Sequence, residues 1–212
     1  MGLFIGKIIL ILLIGYLLGS LNTSILVGKL YGTDIRKHGS GNAGMTNTLR
    51  TLGKVAALLV IVGDMLKGIL AFIIGNLIIG NSIPPEISIN VVGIGGMAGG
   101  IAAIAGHNWP LYFGFKGGKG ILTSFSVILM MDWKLGLILL GIFLIIVVST
   151  RFVSLGSIIA SIAFPITAFI KGNGIVFTVF AVILAVLATI MHRSNIKRLL
   201  SGTERKLGSK KE

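Results

Sequence analysis

Long apolar segments alternate with short polar ones along the whole chain. Seven of the apolar segments approach the length of a membrane-spanning helix, at residues 3–21, 55–80, 90–106, 119–131, 135–150, 153–170 and 174–191. A helix of about 20 apolar residues crosses the hydrocarbon core of a bilayer. The pattern therefore predicts an all-α integral membrane protein of about seven transmembrane helices. Since no long polar stretch separates them, we expect a single polytopic membrane domain over residues 1–212.

The composition is typical of a membrane protein and excludes some kinds of catalytic and structural site. The 212 residues are 54% hydrophobic and 12% charged, with a mean hydropathy of +1.00 and no cysteine. Thiolate nucleophiles, disulfides and cysteine metal sites are therefore excluded. The first apolar segment resembles a signal sequence but lacks a small-x-small cleavage site, so we predict a retained first helix.

Positive charges orient the predicted bundle. If the N-terminus lies outside, most of the 19 Lys and Arg fall in cytoplasmic segments, whereas Glu86, Asp132 and Lys171 fall in outer connections. The positive-inside rule then places the C-terminus, with a basic tail at 193–212, in the cytoplasm. The net charge of +13 is spread over membrane-flanking segments. It indicates attraction to anionic lipid headgroups, and no nucleic-acid partner is expected because no recognition fold is apparent.

Two glycine-rich polar runs carry the strongest candidate chemistry. They are Gly39–Arg50 (GSGNAGMTNTLR) and Gly106–Gly120 (GHNWPLYFGFKGGKG), and orientation places both in the cytoplasm. Glycine exposes backbone N–H groups, and together with Arg50, Lys116 and Lys119 these favour phosphate binding. FKGGKG does not match a Walker P-loop, but it directly precedes an apolar helix, whose N-terminus attracts anions. A simple tight turn is the alternative.

Charged residues also occur within an apolar segment. Asp64 and Lys67 lie one helical turn apart in GDMLKG, so they can face each other. Unpaired charge in hydrocarbon is costly, which favours an ion pair turned toward the bundle interior. A substrate gate or a proton path is the alternative role.

The three histidines, His38, His107 and His192, all fall on the predicted cytoplasmic side. No HExxH or comparable ligand spacing accompanies them, so no metal site is predicted. His192 lies in HRSNIKR among donors suited to a polyol phosphate, and a structural hydrogen-bonding role is equally compatible with its position.

Taken together, the polar motifs resemble those of a known enzyme family. GSGN with Thr46, Asn47 and Arg50, then GH to KGGKG at 106–120, then HRSNI with Arg198, Gly202 and Glu204, resemble in order and spacing the three cytoplasmic motifs of the bacterial acyl-phosphate:glycerol-3-phosphate acyltransferase (PlsY) family. GDMLKG and RFVSLGS (151–157) resemble further family segments. Ala43 stands where the family commonly has proline, and Met45 where it often has alanine.

The resemblance implies an enzyme that moves a fatty acyl group from acyl phosphate to the 1-hydroxyl of sn-glycerol 3-phosphate, giving lysophosphatidate and phosphate as the first step of phospholipid biosynthesis. It implies no cofactor, a bacterial plasma membrane location with the active site facing the cytoplasm, and a functional link to the phosphate acyltransferase that forms acyl phosphate. Glu204 is expected to be structural. The implied catalytic residues are Ser40, Arg50, Lys119, His192 and Asn195. The implied substrate-binding residues are Gly41, Asn42, Thr46, Asn47, Gly117, Gly118, Ser154 and Ser157.

Donor choice can also be predicted from what the histidines lack. Acyltransferases that use acyl-CoA resemble one another in an HxxxxD dyad, but the fifth residues after the three histidines are Ala43, Tyr112 and Lys197. We therefore expect that thioesters of coenzyme A or acyl carrier protein are not productive donors.

Two other classes compete with an enzyme. The intramembrane Asp64 and Lys67 would suit an anion transporter, although no convincing inverted repeat relates the halves of the sequence. An assembly factor would not require three polar motifs gathered on one side of the membrane.

Overall fold

The structure, a computed structural model, describes residues 1–82 and 93–208. Every regular element in those residues is helical, which confirms the predicted fold class. The α-helices are α1 Gly2–Ser20, α2 Thr23–Leu30, α3 Met45–Leu52, α4 Lys54–Ile79, α5 Ile94–Asn108, α6 Ile121–Met131, α7 Trp133–Thr150, α8 Val153–Ile170, α9 Ile175–Met191 and α10 Arg193–Leu200. Short 3-10 turns form at Ile35–Lys37 and Leu111–Phe113.

The number of membrane-crossing helices is matched only in part. In the described ranges, four helical segments are long and apolar enough to cross a bilayer: Gly2–Leu30, Lys54–Ile79, Trp133–Thr150 and Val153–Ile170. The pair α9 and α10, bent by 60°, would make a fifth, and α6 is a shorter apolar helix. All seven predicted segments contain helix, but the count of seven and the orientation stay predictions. Glu86 and the start of the 90–106 segment lie outside the described residues.

The chain forms two compact units, at residues 1–131 and 132–212. In the first unit, α5 packs between α1 and α4. Glycines make this possible, because a β-carbon on Gly95 would overlap the backbone of Gly75, and one on Gly99 would overlap that of Ala71. The α5 glycines thus permit close packing of α5 against α1 and α4.

Helix α4 is the longest element of the first unit and also contacts α2, α3 and α6. A β-carbon on Gly63 would overlap Thr23 at the start of α2, and one on Gly68 would overlap Ser126 of α6. These close approaches place the middle of α4 beside the start of α2 and the first half of α6.

The second unit is built on α7, α8 and α9 packed in sequence. Phe164, Phe177 and Phe180 pack ring to ring between α8 and α9. Asp132 caps α7 by accepting the Leu135 N–H, and it also binds the Lys171 ammonium beyond α8. Burial would raise the pKa of Asp132, but these hydrogen bonds outweigh it and hold the pKa below its ordinary value. This cluster fixes the start of α7 to the end of α8.

Candidate active site

The first glycine-rich run folds around the buried side chain of Asn47. The Asn47 Oδ1 accepts the Ser40 N–H at 2.8 Å, and its Nδ2 donates to the carbonyls of Ile35 at 3.1 Å and His38 at 3.0 Å. Gly41 has φ +72°, a conformation that favours glycine. Asn47, predicted to bind substrate, therefore has its amide engaged in shaping the loop.

The remaining predicted residues of this run lie around that loop. Ser40 and Gly41 are exposed, whereas Asn42, Thr46 and Arg50 are half-buried. Thr46 and Arg50 are four residues apart on α3, so they share one helix face. A cation and a hydroxyl thus stand together beside the loop.

Helix α3 is held to the rest of the first unit by buried polar contacts. The hydroxyls of Ser24 and Thr48 hydrogen bond at 2.7 Å. Asn22 caps α2, and its Nδ2 lies 3.5 Å from the Ala43 carbonyl oxygen. No motif in the sequence marks these contacts, which hold α3 and the first run against α2.

The second run turns back on the end of α5. The Gly117 N–H donates to the Asn108 carbonyl at 3.2 Å, and the Gly118 N–H donates to the His107 carbonyl at 3.1 Å. These two N–H groups satisfy the end of α5 and are engaged within the chain. The first turn of α6, which begins at Ile121, adds N–H groups that the helix itself does not use and that can face an anion.

Gly118 has a packing reason to be glycine. A β-carbon there would overlap Nε2 of His107 on one side and the Ala43 carbonyl oxygen on the other. The absence of a side chain thus lets the second run fit between α5 and the first run.

Arg36 joins the two runs, a role that sequence reasoning missed. Its guanidinium pairs with Asp34 at 2.9 Å and donates to the Phe113 carbonyl at 2.8 Å and the Lys116 carbonyl at 3.3 Å. The hydrogen bond with Arg36 holds the pKa of Asp34 below its ordinary value. Only the D-x-R spacing hints at this pair in the sequence.

The ion pair predicted in α4 is present and includes a third residue. Lys67 Nζ lies 2.9 Å from Asp64 Oδ1 and 2.8 Å from Nδ1 of His107, and all three side chains are buried. His38, by contrast, is exposed and hydrogen bonds to Thr33 at 2.8 Å.

Asn108, which sequence reasoning also missed, is 1% exposed. Neither atom of its amide has a hydrogen-bond partner among the described residues, and a β-carbon on Gly120 would lie 2.9 Å from its Oδ1. Buried amides of this kind are normally satisfied by ordered water or ligand.

In the second unit, Glu204 gathers the predicted residues of α8 and α10. Its Oε1 accepts from Ser154 Oγ and from Asn195 Nδ2, each at 2.7 Å, and its Oε2 accepts from Arg198 Nε at 2.7 Å. Burial would raise the pKa of Glu204, but these three donors together lower it below its ordinary value. Glu204 therefore acts as a clamp between the tail and the two helices.

His192 is buried at the bend between α9 and α10. Because a carbonyl only accepts, the 2.7 Å contact with the Ala188 oxygen places a proton on Nδ1 of His192. Ser157, one turn after Ser154, donates to the Val153 carbonyl at 3.0 Å. The second unit thus holds the predicted residues of the third motif and of α8.

The fold and the loops together define a class: a helical membrane protein whose glycine-rich loops present cations and helix N-termini suited to phosphate. A sequence model of the family described as "Glycerol-3-phosphate acyltransferase" matches residues 9–202. The chain belongs to the glycerol-3-phosphate acyltransferase family, and it is an integral membrane protein.

Relatives cover nearly the full length of the chain. A glycerol-3-phosphate acyltransferase of Thermoanaerobacter sp. (strain X514) is 46% identical over 205 residues, covering 96% of this chain and 98% of that protein. One from Clostridioides difficile (strain 630) is 43% identical over 211 residues, with coverage of 96% and 97%.

Solved structures agree in fold. A crystal structure of PlsY (YgiH), an integral membrane glycerol 3-phosphate acyltransferase, in its glycerol 3-phosphate form has a TM-score of 0.84 at 34% identity, covering 95% of this chain and 96% of that one. The lysophosphatidic acid form of that enzyme has a TM-score of 0.82 at 34% identity, with 95% of each chain covered.

Proposed function

We propose that this protein transfers a fatty acyl group from acyl phosphate to the 1-hydroxyl of glycerol 3-phosphate, producing lysophosphatidate and inorganic phosphate. The observation that carries the proposal is the likeness, over 95% of the chain, to a PlsY structure in its glycerol 3-phosphate form. The structure in the lysophosphatidic acid form supports the proposed product.

The chemistry needs no cofactor and no covalent enzyme intermediate. Acyl phosphate is a mixed anhydride with a good leaving group, so the enzyme has mainly to position two anions and stabilise charge on the acyl carbonyl oxygen. The acceptor hydroxyl attacks the acyl carbon, the carbon–oxygen bond to phosphate breaks, and an ester bond forms. We propose that an anionic oxygen of the leaving phosphate takes the hydroxyl proton.

Arg50 and Lys119 are proposed to neutralise the substrate phosphates, since a guanidinium and an ammonium are the side chains best suited to do so. Ser40, which is exposed on the first run, is proposed to take part in catalysis. The Gly41 N–H donates to the His38 carbonyl at 3.0 Å, and the Asn47 N–H to the Gly44 carbonyl at 3.1 Å. The N–H groups of Asn42 and Thr46 are therefore the better candidates for the acyl oxyanion.

His192 and Asn195 are proposed to orient the glycerol hydroxyls. The Nδ1 hydrogen bond to the Ala188 carbonyl fixes the orientation of the His192 ring, and an oriented imidazole can hydrogen bond to a hydroxyl. Nε2 of the same ring is the main alternative to the leaving phosphate as acceptor of the proton.

We further propose seven membrane crossings, an outer N-terminus and a cytoplasmic C-terminus in a bacterial plasma membrane. The Lys and Arg distribution along the sequence supports this orientation. It would place the phosphate-binding loops in the cytoplasm and link the protein functionally to the enzyme that forms acyl phosphate.

The proposal is tested with protein purified in detergent. Acyl phosphate and glycerol 3-phosphate should yield equal amounts of lysophosphatidate and phosphate, whereas acyl-CoA and acyl carrier protein thioesters should yield none. Product without a sealed membrane separates an enzyme from a transporter. Absence of product, or efficient use of a thioester, would contradict the proposal.

A further inference from the structure

The buried network of Asp64, Lys67 and His107 has no part in the proposed chemistry. These side chains are 1%, 5% and 2% exposed, respectively. Keeping a buried ion pair is energetically demanding, and an apolar pair of similar volume often serves stability as well or better. The network therefore calls for a role beyond stability.

We propose that Asp64, Lys67 and His107 form a positioning unit that fixes the loop at residues 117–120 and thereby sets the affinity for the phosphate of the acceptor. This inference rests on the proposed function for its choice of substrate. None of the three residues is proposed to touch the substrate.

Lys67 sets the orientation of the His107 ring. An ammonium group only donates hydrogen bonds, so the 2.8 Å contact makes Nδ1 of His107 the acceptor and places the ring proton on Nε2. Asp64, 2.9 Å from the same ammonium, balances its charge. Lys67 also donates to the Leu21 carbonyl at 3.3 Å, which anchors it to the junction of α1 and α2.

His107 in turn contacts the loop in two ways. Its carbonyl accepts the Gly118 N–H at 3.1 Å, and Nε2 of its ring occupies the space that a Gly118 side chain would need. A turned ring would lose the second contact, and a displacement of the end of α5 would lose both.

The far end of the loop is tied to the same stretch of α4. Thr123, in the first turn of α6, donates its hydroxyl to the Asp64 carbonyl at 3.1 Å. The segment that carries Lys119 is thus bounded by His107 before it and Thr123 after it, and both contact the Asp64 and Lys67 turn. Displacing a binding group by about 1 Å can cost up to 10²-fold in rate or affinity.

The kinetic test uses Lys67→Met and the double variant Asp64→Asn/Lys67→Met. The double variant removes both charges at once, so it remains informative if the single variant fails to fold. Both should raise the KM for glycerol 3-phosphate about tenfold and change the KM for acyl phosphate by less than about threefold. Lys7→Met is the matched control, because Lys7 bonds to Ser82 and the Ile79 carbonyl at the other end of α4.

A second readout does not depend on activity. Since the chain has no cysteine, Ile121→Cys places one reporter thiol at the end of the loop, on the half-buried first residue of α6. Its maleimide labelling should become about tenfold faster when Asp64→Asn/Lys67→Met is added, because each opening of the loop uncovers the half-buried thiol. Lys54→Cys, exposed at the start of α4, should label at an unchanged rate.

Unchanged labelling of the loop thiol, or an equal rise in both KM values in folded protein, would overturn the positioning role. If the wild-type protein does not acylate glycerol 3-phosphate, the proposed function fails instead. The labelling comparison then still decides whether the network holds the loop.

Discussion

At the scale of single residues, buried amides and cations shape the candidate site. The Asn47 side chain accepts one backbone hydrogen bond and donates two within the first run and the residues before it. Arg36 donates to carbonyls of the second run. Each of these side chains restricts the backbone conformations of a loop whose glycines would otherwise leave it mobile. The exposed and half-buried groups, such as Ser40 and Arg50, are thereby presented in a defined arrangement.

Arg50→Lys keeps the charge but loses the planar fork that holds a phosphate with two hydrogen bonds. We expect about a 10²-fold loss in kcat/KM, measured with purified protein and both substrates. Lys54→Arg, on the exposed start of α4, is the matched control and should retain activity. Near-normal turnover by Arg50→Lys would show that charge alone suffices.

Gly118→Ala should raise the KM for glycerol 3-phosphate more than the KM for acyl phosphate. The added methyl group would overlap the His107 ring and the Ala43 carbonyl oxygen, so the loop must shift, and we expect about a tenfold effect. Gly6→Ala is the control, because within residues 1–82 and 93–208 no atom lies within 4 Å of the added carbon. Equal changes for both substrates would contradict a role confined to the acceptor.

The sequence was informative for residue types and less so for their partners. The pairing of Asp64 with Lys67 could be predicted from their helical spacing, and the glycine-rich runs could be recognised by their composition. The contact of Lys67 with His107 joins residues 40 positions apart, and no periodicity reveals it. Likewise, the sequence suggested that the Gly117 and Gly118 N–H groups bind phosphate, whereas the structure engages them at the end of α5.

At the scale of elements, short helices position the chemistry and longer ones hold the frame. Helix α3 and helix α10 each have eight residues, and each is fixed by buried polar contacts, Ser24 with Thr48 for α3 and Asn195 with Glu204 for α10. Isolated helices of this length are marginal in water, so the contacts decide their position. Hydropathy alone could not place them.

The Glu204 clamp predicts a pH-dependent stability. Because the pKa of Glu204 is lower in the folded protein than its ordinary value of 4.5, the charged form stabilises the fold at neutral pH and this contribution is lost as pH falls through the folded-state pKa. Glu204→Gln should therefore lower Tm at pH 7, and the difference from wild type should shrink as the pH approaches 4. Thermal unfolding in detergent at several pH values measures this, and a constant difference would contradict the clamp.

At the scale of the whole molecule, the order of the helices along the chain determines which surfaces face lipid and which are polar. Large apolar side chains such as Leu3, Val148 and Ile170 are exposed in the structure, as expected of helices surrounded by lipid. The helical class followed from hydropathy, but the number of crossings did not, because α5 and α6 are shorter than a typical span and α9 is bent against α10. The proposed orientation rests on the charge distribution and not on helix length.

The proposed orientation predicts opposite sides for two positions. A reporter inserted at Glu86 should be external and one fused after Glu212 should be cytoplasmic, because most Lys and Arg then lie inside. Accessibility in intact cells and in inverted vesicles measures this. Reporters on the same side would overturn the orientation.

The central claim is transfer of the acyl group, which requires that the bond between the acyl carbon and the bridging oxygen breaks. Acyl phosphate carrying oxygen-18 at that bridging position tests it most directly, with glycerol 3-phosphate as acceptor and mass spectrometry of the products. The label should appear in inorganic phosphate and be absent from lysophosphatidate. Label retained in a free fatty acid, with phosphate passed to the acceptor or to water, would contradict the claim.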